Sequence, residues 1–268
     1  MAAYSRILTP QGLQPVSYTP NSLADAVQYE PDGIYTVTNT FNRTQVLKFE
    51  AHLDRLEDSA ERAGIPLKLD RPRLKSALHQ MIIDSHLGDV RFRITVPRTQ
   101  PDHYIITLEA FKLVSQSIRE NGMAVITIPD SARQNPAAKT TGWMHARSEI
   151  ILPEGIYDGV LLDADGNMLE TLGANFYAVI NGELRTAGAG VLPGIAQQII
   201  FEIAPDIRKD APHISELPHI QEAFITSSSR GIVPINRIDA HTLGKPGIKT
   251  LALIQAYNAW VVSHLESL

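Results

Sequence analysis

A change of hydrophobic period near residue 50 constrains the fold of this chain most strongly. Residues 33–41 are rich in β-branched and aromatic side chains that roughly alternate with others, which predicts a strand. A turn at residues 42–44 and a return strand at 45–49 follow. From Glu50 onward, apolar residues recur at helical spacing, which predicts a helix that ends at Gly64 and Pro66. A hairpin followed by helices is typical of an α+β fold.

The same patterns predict two domains. Further helices are expected at residues 74–86, 140–149, 195–204 and 247–265. Further strands are expected at 90–96, 104–108, 123–128, 159–163, 176–180, 222–226 and 231–235. The polar, turn-rich segment 129–136 is typical of a linker. We therefore expect an N-terminal α+β domain over residues 1–128 and a C-terminal domain over residues 137–268.

Charge and composition exclude several classes of function. The 24 basic and 29 acidic residues give a net charge of −5, which offers no basis for binding nucleic acid. The absence of cysteine excludes thiolate metal sites and disulfides, and it fits a cytoplasmic protein. The first twenty residues lack the apolar stretch of a signal peptide, and no run approaches the ~18 apolar residues of a membrane span. The histidines lack the HExxH spacing of a metalloprotease, so we expect no metal.

Lys139 is the first candidate for catalysis. Its neighbours in residues 137–142 are small and weakly polar, whereas most lysines are solvated surface charges. An amine with few charged neighbours in a half-buried site loses its proton more easily. A neutral amine can form a Schiff base with an aldehyde and can then move a proton between carbon atoms.

Three further features would suit an aromatic aldehyde phosphate. Glu170 supplies a carboxylate that can keep a pyridine nitrogen protonated. Gly194, Ile195 and Ala196 open a predicted helix, whose free N–H groups can bind phosphate. Arg55, Ser227 and Ser228 could add a forked cation and hydroxyl donors. Each residue alone is also compatible with an ordinary surface position, but together they imply pyridoxal 5'-phosphate as the cofactor.

At this point the order of segments resembles a known family, the class IV aminotransferases of pyridoxal phosphate fold type IV. The resemblance covers residues 33–239 and rests on the segments 33–37, 52–60, 170–175, 192–195 and 224–228, with Lys139 between them. It implies that Lys139 forms the Schiff base and that Glu170 pairs with the pyridine nitrogen. It also implies phosphate contacts from Arg55, from the backbone N–H groups of Ile195 and Ala196, and from Ser228.

The resemblance also implies an architecture and an assembly. We expect a smaller N-terminal α/β domain, a larger C-terminal pseudo-barrel domain and a homodimer. The family includes branched-chain aminotransferases, D-amino-acid transaminases and aminodeoxychorismate lyases. Thr171, Thr38, Asn39 and Ala196 depart from common family residues, and these departures bear on the substrate class.

Residues for the substrate are expected on the first domain and beside the serine cluster. Arg91 and Arg93 alternate on one strand and so face the same side, with Arg98 beyond them. These arginines, together with Tyr35 and Arg230, are candidates to bind a substrate carboxylate. Exposed strand charges are an equally good interpretation of the same pattern.

Three functions remain open at this point. The first is an aminotransferase that moves an amino group between an amino acid or amine and a 2-oxo acid through Lys139. The second is a lyase of the aminodeoxychorismate type, which would use the same lysine and cofactor to eliminate pyruvate. The third is a binding protein that keeps the fold without turnover, which the presence of both Lys139 and Glu170 disfavours.

Overall fold

The computed structural model describes residues 2–268, and the chain divides into two compact units. The first unit contains the residues up to Lys112 together with Ala138–Ile150 and His264–Leu268. The second unit contains Leu113–Ala137 and Ile151–Ser263. Each unit is therefore built from separate stretches of chain, which differs from the contiguous domains expected from the sequence.

The described residues form strands and helices in alternation. The strands are β1 (Tyr4–Thr9), β2 (Gly12–Pro15), β3 (Gly33–Phe41), β4 (Gln45–Leu47), β5 (Val90–Pro97), β6 (Tyr104–Ala110), β7 (Met123–Ile128), β8 (Asp158–Leu162), β9 (Met168–Thr171), β10 (Asn175–Ile180), β11 (Glu183–Thr186), β12 (Ile220–Ser227), β13 (Gly231–Ile238), β14 (His241–Thr242) and β15 (Leu265–Ser267). The α-helices are α1 (Phe49–Arg62), α2 (Arg71–Ser85), α3 (Gln116–Asn121), α4 (Thr141–Ser148), α5 (Ile195–Ile203) and α6 (Ile248–Ser263). Two 3₁₀ helices lie at Asp25–Tyr29 and Ile214–His219.

An antiparallel sheet organises the first unit. Its seven strands lie in the order β15-β4-β3-β5-β6-β1-β2. Helix α1 packs against β3, and its apolar positions Phe49, Leu53 and Leu56 are spaced three or four residues apart and are fully buried. These side chains share one core with Phe92 and Ile94 of β5. The predicted hairpin and the helix after it are confirmed.

A closed ring of strands organises the second unit. Strands β10, β12, β13, β7, β8 and β9 follow one another, and β9 pairs back onto β10. The six-stranded ring confirms the expected pseudo-barrel, and its interior holds apolar side chains that include Phe176, Ile225 and Val233. Strand β11 extends the ring outside β10, and β14 pairs with β13.

The position of strand β7 differs from the one expected from the sequence. Residues 123–128 were expected in the N-terminal domain, but β7 lies in the ring and pairs in parallel with β13 and β8. The reason is that β6 has both edges occupied, by β5 and β1, so no edge of β6 remains for a following strand.

The end of the chain also departs from expectation. The closing helix was predicted to run to residue 265, but α6 ends at Ser263. Strand β15 then pairs with β4, and the Leu268 N–H donates to the Thr44 carbonyl at 3.0 Å. The last residues therefore add an edge strand to the sheet of the first unit. None of the helices formed by residues 2–268 has the length and apolar character needed to cross a membrane.

Gly33 at the start of β3 provides a test of this packing. A Cβ atom on Gly33 would lie 2.1 Å from the Val96 carbonyl oxygen, whereas one on Gly142 in α4 would meet only Thr140 Oγ1 at 3.9 Å. We expect Gly33→Ala to lower the free energy of unfolding by about 3 kcal/mol, because the backbone of β5 must move. Gly142→Ala should instead raise it by roughly 0.5–1 kcal/mol. Urea denaturation of both variants measures the difference, and equal stabilities would contradict the described register of β3 and β5.

Candidate active site

Backbone contacts within the first unit fix the position of Lys139. The Tyr35 N–H of β3 donates to the Lys139 carbonyl at 3.0 Å, and the Lys139 N–H donates to Ser59 Oγ of α1 at 3.1 Å. Two residues later, Thr141 Oγ1 accepts from the Gly33 N–H at 2.8 Å and donates to the Gly33 carbonyl at 3.2 Å. The lysine is therefore held against both the strand and the helix by groups other than its own amine.

The amine of Lys139 lies beside an aromatic ring. Its Nζ is 4.7 Å from the centroid of the Tyr35 ring, and Tyr35 is 1% exposed. A cation over a ring face is attracted by the negative face of the ring. Lys139 itself is half-buried, as expected from its small neighbours in the sequence, rather than extended into solvent.

Arg55 on α1 is a buried cation. Arg55 is 8% exposed. Among residues 2–268 its side chain makes one hydrogen bond, in which Nη2 donates to Thr36 Oγ1 at 3.4 Å. No carboxylate in the described chain pairs with it, and its Nε has no partner there. Burial lowers the pKa of Arg55 to about 10, so it remains charged at neutral pH. A buried, uncompensated guanidinium is an incomplete arrangement that a phosphate would complete.

In the second unit, Glu170 is a buried carboxylate with both oxygens engaged. It is 5% exposed and lies on β9. Its Oε1 accepts from Arg133 Nη1 at 3.2 Å, and its Oε2 accepts from the Leu192 N–H at 3.3 Å. The Arg133 side chain is 5% exposed, so the ion pair is shielded from water. A neighbouring cation and backbone donors both favour the charged form of a carboxylate.

The spacing between Glu170 and Asn175 has a physical explanation. The two residues face each other across the antiparallel pair β9–β10. Both hold Leu192, because Glu170 accepts from its N–H and Asn175 Nδ2 donates to its carbonyl at 2.9 Å. A Cβ on Gly194 would lie 2.0 Å from Asn175 Oδ1, so glycine is required there. The carboxylate and the loop before α5 are therefore positioned by one motif.

The start of α5 supplies backbone donors. Gly194 is the N-cap and offers no side chain to the first turn. The first N–H groups of a helix, here those of Ile195 and Ala196, have no intrahelical acceptor. Both residues are 1% exposed. The sequence predicted this helix start at Ile195, and the structure confirms it.

The serine cluster forms the turn between β12 and β13. Ser227 and Ser228 are half-buried, and the Arg230 N–H closes the turn on the Ser227 carbonyl at 3.2 Å. The Arg230 side chain folds back: Nε donates to Ser227 Oγ at 3.1 Å, Nη1 to Asp158 Oδ2 at 3.4 Å, and Nη2 to the Gly173 carbonyl at 3.3 Å. Arg230 thus ties this turn to the segment that follows Glu170.

The arginines expected to bind substrate have protein partners. Arg93 is buried in an ion pair with Glu30, and its Nη1 also donates to the Leu23 carbonyl at 2.9 Å. Arg98 pairs with Asp32 at 2.6 Å and is largely exposed. Arg91 Nη1 lies 3.5 Å from Glu109 Oε1. These contacts give Arg93 a structural role in the first unit.

Sequence reasoning missed two residues that shape the site. Arg133 lay in the predicted linker, and nothing in its local sequence indicated that it would pair with Glu170. His52 was noted only as part of the Arg55 segment. It is fully buried, and its Nδ1 lies 2.8 Å from Thr36 Oγ1. Its position one helical turn before Arg55 was the only available signal.

Comparison with known proteins agrees with this geometry. The family model of amino-transferase class IV matches residues 33–238. The chain belongs to this family.

The chain is also similar to curated relatives and to solved structures. The branched-chain-amino-acid aminotransferase of Escherichia coli strain K12 is 24% identical over 225 residues, covering 75% of this chain and 73% of that protein. The structure of a branched-chain aminotransferase from Thermoproteus uzoniensis superposes with a TM-score of 0.79 at 20% identity, over 100% and 99% of the two chains. A hypothetical aminotransferase from Mycobacterium tuberculosis in its PLP-bound form gives a TM-score of 0.74 at 19% identity, over 97% and 99%. These structural similarities confirm the two-domain fold type IV architecture.

Membership in the class IV family makes the chain a PLP-dependent transaminase. The donor groups in each unit fit that cofactor. The buried guanidinium of Arg55 lacks a counter-charge, the glycine at position 194 leaves room before a helix start, and the Glu170 carboxylate accepts from Arg133 and from the Leu192 N–H. These are the groups that a phosphate and a protonated pyridine nitrogen require.

The Arg133–Glu170 pair yields a stability prediction. Arg133→Met should lower the free energy of unfolding by about 3 kcal/mol, because it removes the cation that pairs with the buried Glu170 carboxylate. Arg185→Met is a matched control in the same unit, since Arg185 pairs with the more exposed Glu216 at 2.6 Å. Its loss should cost about 1 kcal/mol or less. Denaturation at pH 7 measures both, and an equal cost for the two variants would count against the buried pair.

Proposed function

We propose that Lys139 bears the cofactor and transfers the substrate α-proton as this enzyme moves an amino group between an amino acid or amine and a 2-oxo acid. The observation that carries the proposal is the anchoring of Lys139. Two hydrogen bonds within the first unit hold its backbone, and a third holds the side-chain hydroxyl of Thr141 two residues later. Lys139 also occupies the position that corresponds to the family's lysine in the segment order.

The remaining cofactor-binding residues are proposed from the same geometry. Arg55 would bind the phosphate as a forked cation, with backbone N–H groups of Ile195 and Ala196 and the hydroxyl of Ser228 as further donors. Glu170 would accept a hydrogen bond from the protonated pyridine nitrogen. When bound, PLP supplies an electron-withdrawing ring that stabilises negative charge at the substrate α-carbon.

The environment of Lys139 supports its role as a base. Its Nζ lies 4.7 Å from the Tyr35 ring centroid, and the residue is half-buried among small neighbours. A neutral amine held in such a position can act as a general base. Lys139 can therefore accept a proton at one carbon and return it at another.

Substrate recognition is proposed to involve the first unit and the serine turn. Tyr35 lies against the lysine and is placed to contact substrate. Arg91, Arg98 and Arg230 remain candidates for the substrate carboxylate, whereas the Glu30 contact commits Arg93 to the protein interior. The branched-chain and D-alanine aminotransferases among the relatives span L- and D-amino acids, so we propose testing both hands.

Product analysis separates transamination from the lyase alternative. The purified protein is incubated with PLP and a panel of L- and D-amino acids, with 2-oxoglutarate or pyruvate as acceptor. A transaminase forms the new amino acid in equal amount to the donor consumed. Release of pyruvate from aminodeoxychorismate without any acceptor would instead establish the lyase.

Glu170→Gln tests the proposed role of the carboxylate. The amide keeps the shape of the side chain but cannot stabilise a positive charge on the ring nitrogen. We expect kcat to fall by about 100-fold or more while the cofactor remains bound. Steady-state assays give kcat, and the cofactor absorbance gives occupancy. Near-normal turnover in the fully loaded variant would contradict this role.

We further propose that the enzyme is a cytoplasmic homodimer. Support comes from the absence of cysteine in the sequence and from the class IV family to which it belongs. Light scattering of the purified protein gives the mass of the assembly, which for a dimer is twice the 29.5 kDa of the chain.

A further inference from the structure

A chain of three side chains links Arg55 to the interior of the first unit. Arg55 Nη2 donates to Thr36 Oγ1 at 3.4 Å, and Thr36 Oγ1 lies 2.8 Å from His52 Nδ1. Thr36 and His52 are both fully buried. Since Arg55 has no carboxylate partner in residues 2–268, this hydroxyl is its only side-chain anchor there.

His52 is neutral at physiological pH. Complete burial lowers the pKa of His52 well below its usual value, and the nearby charges of Arg55 and Lys139 lower it further. A neutral imidazole has one nitrogen that donates and one that accepts. The ring can therefore be either donor or acceptor toward Thr36, and the choice of tautomer decides which way the hydroxyl points.

The number of buried groups left without a hydrogen bond favours one tautomer of His52. Nε2 of His52 has no hydrogen-bond partner in the described chain. If Nδ1 carried the proton, both the Thr36 hydroxyl proton and the Nε2 lone pair would be buried without partners. If Nδ1 accepts from Thr36, only the Nε2 proton lacks a partner, and each buried unsatisfied group costs about 1–3 kcal/mol. The hydroxyl therefore donates to His52 and turns its lone pairs toward Arg55.

We propose that Thr36, oriented by neutral His52, is a positioning residue that holds the Arg55 guanidinium without compensating its charge. A carboxylate anchor would fix the guanidinium equally well but would weaken its attraction for an anion by opposing charge. The Thr36 hydroxyl fixes the direction of the Arg55 guanidinium and leaves its full positive charge to attract the ligand. This inference rests on the proposed function, and the ligand group concerned is a phosphate monoester.

Thr36→Val is the direct test, and Thr38→Val is its matched control. Thr36 and Thr38 lie two apart on β3, so they share one face; both are fully buried, and Thr38 Oγ1 has no partner in residues 2–268. The apo-proteins are titrated with PLP and with pyridoxal, which lacks the phosphate. We expect Thr36→Val to weaken PLP binding about tenfold and to leave pyridoxal binding unchanged, because a hydrogen bond to a charged group is lost.

Two further variants show whether the effect of Thr36→Val comes from the loss of its hydroxyl. Thr38→Val should match the wild-type chain for both aldehydes, and Thr36→Ser should restore PLP binding because it retains the hydroxyl. Equal losses for PLP and pyridoxal, or no loss at all, would overturn the positioning role. If the wild-type protein itself fails to prefer PLP over pyridoxal, the proposed function fails as well, so the two failures are distinguishable.

A spectroscopic measurement keeps the inference testable if Thr36→Val does not fold. The ¹⁵N chemical shifts of His52 in the wild-type apo-protein report which ring nitrogen carries the proton. At about pH 7 we expect an unprotonated, hydrogen-bond-accepting Nδ1 and a protonated Nε2, because burial and then the charges of Arg55 and Lys139 lower the pKa of His52. A protonated Nδ1 would overturn the proposal.

Discussion

The burial of charged side chains is the constraint that shapes the candidate residues of each unit. In the first unit, Arg55 is enclosed without a carboxylate. In the second, the Glu170 carboxylate is enclosed with Arg133 and one backbone donor. Isolated charges are expensive to bury, so the Arg55 guanidinium is stable only if the surrounding structure or an anionic ligand supplies the missing interactions. In the second unit, Arg133 supplies the cation beside the Glu170 carboxylate.

The fold positions these groups through hydrogen bonds between residues that are distant in sequence. Glu170 and Asn175 form hydrogen bonds with the backbone of Leu192 and so position the loop that precedes α5. In the first unit, the contacts of Lys139 with Tyr35 and Ser59 do the same for the lysine. In each unit the candidate side chain is held by neighbours on strands and helices, and such rigid elements are a means of preorganising a site.

Local patterns predicted the elements that carry the site but not the long-range contacts that complete it. Periodicity located β3, α1 and α5, since their core-facing residues recur at strand or helix spacing. The motif order identified Lys139 and Glu170 as candidates. The sheet membership of β7 depended on which strand edges were already occupied, which no local pattern encodes. For the same reason the ion pair of Arg133 with Glu170 was not predicted. Arg133 lies in a turn-rich segment, and its partner is distant in sequence.

The central claim is that Lys139 bears the cofactor, and reductive labelling tests it most directly. The protein is loaded with PLP, treated with borohydride, digested and mapped by mass spectrometry. We expect a single phosphopyridoxyl label on the peptide that contains Lys139, and its loss in Lys139→Ala. A protein that remains colourless and unlabelled, or one labelled at a different lysine, would contradict it.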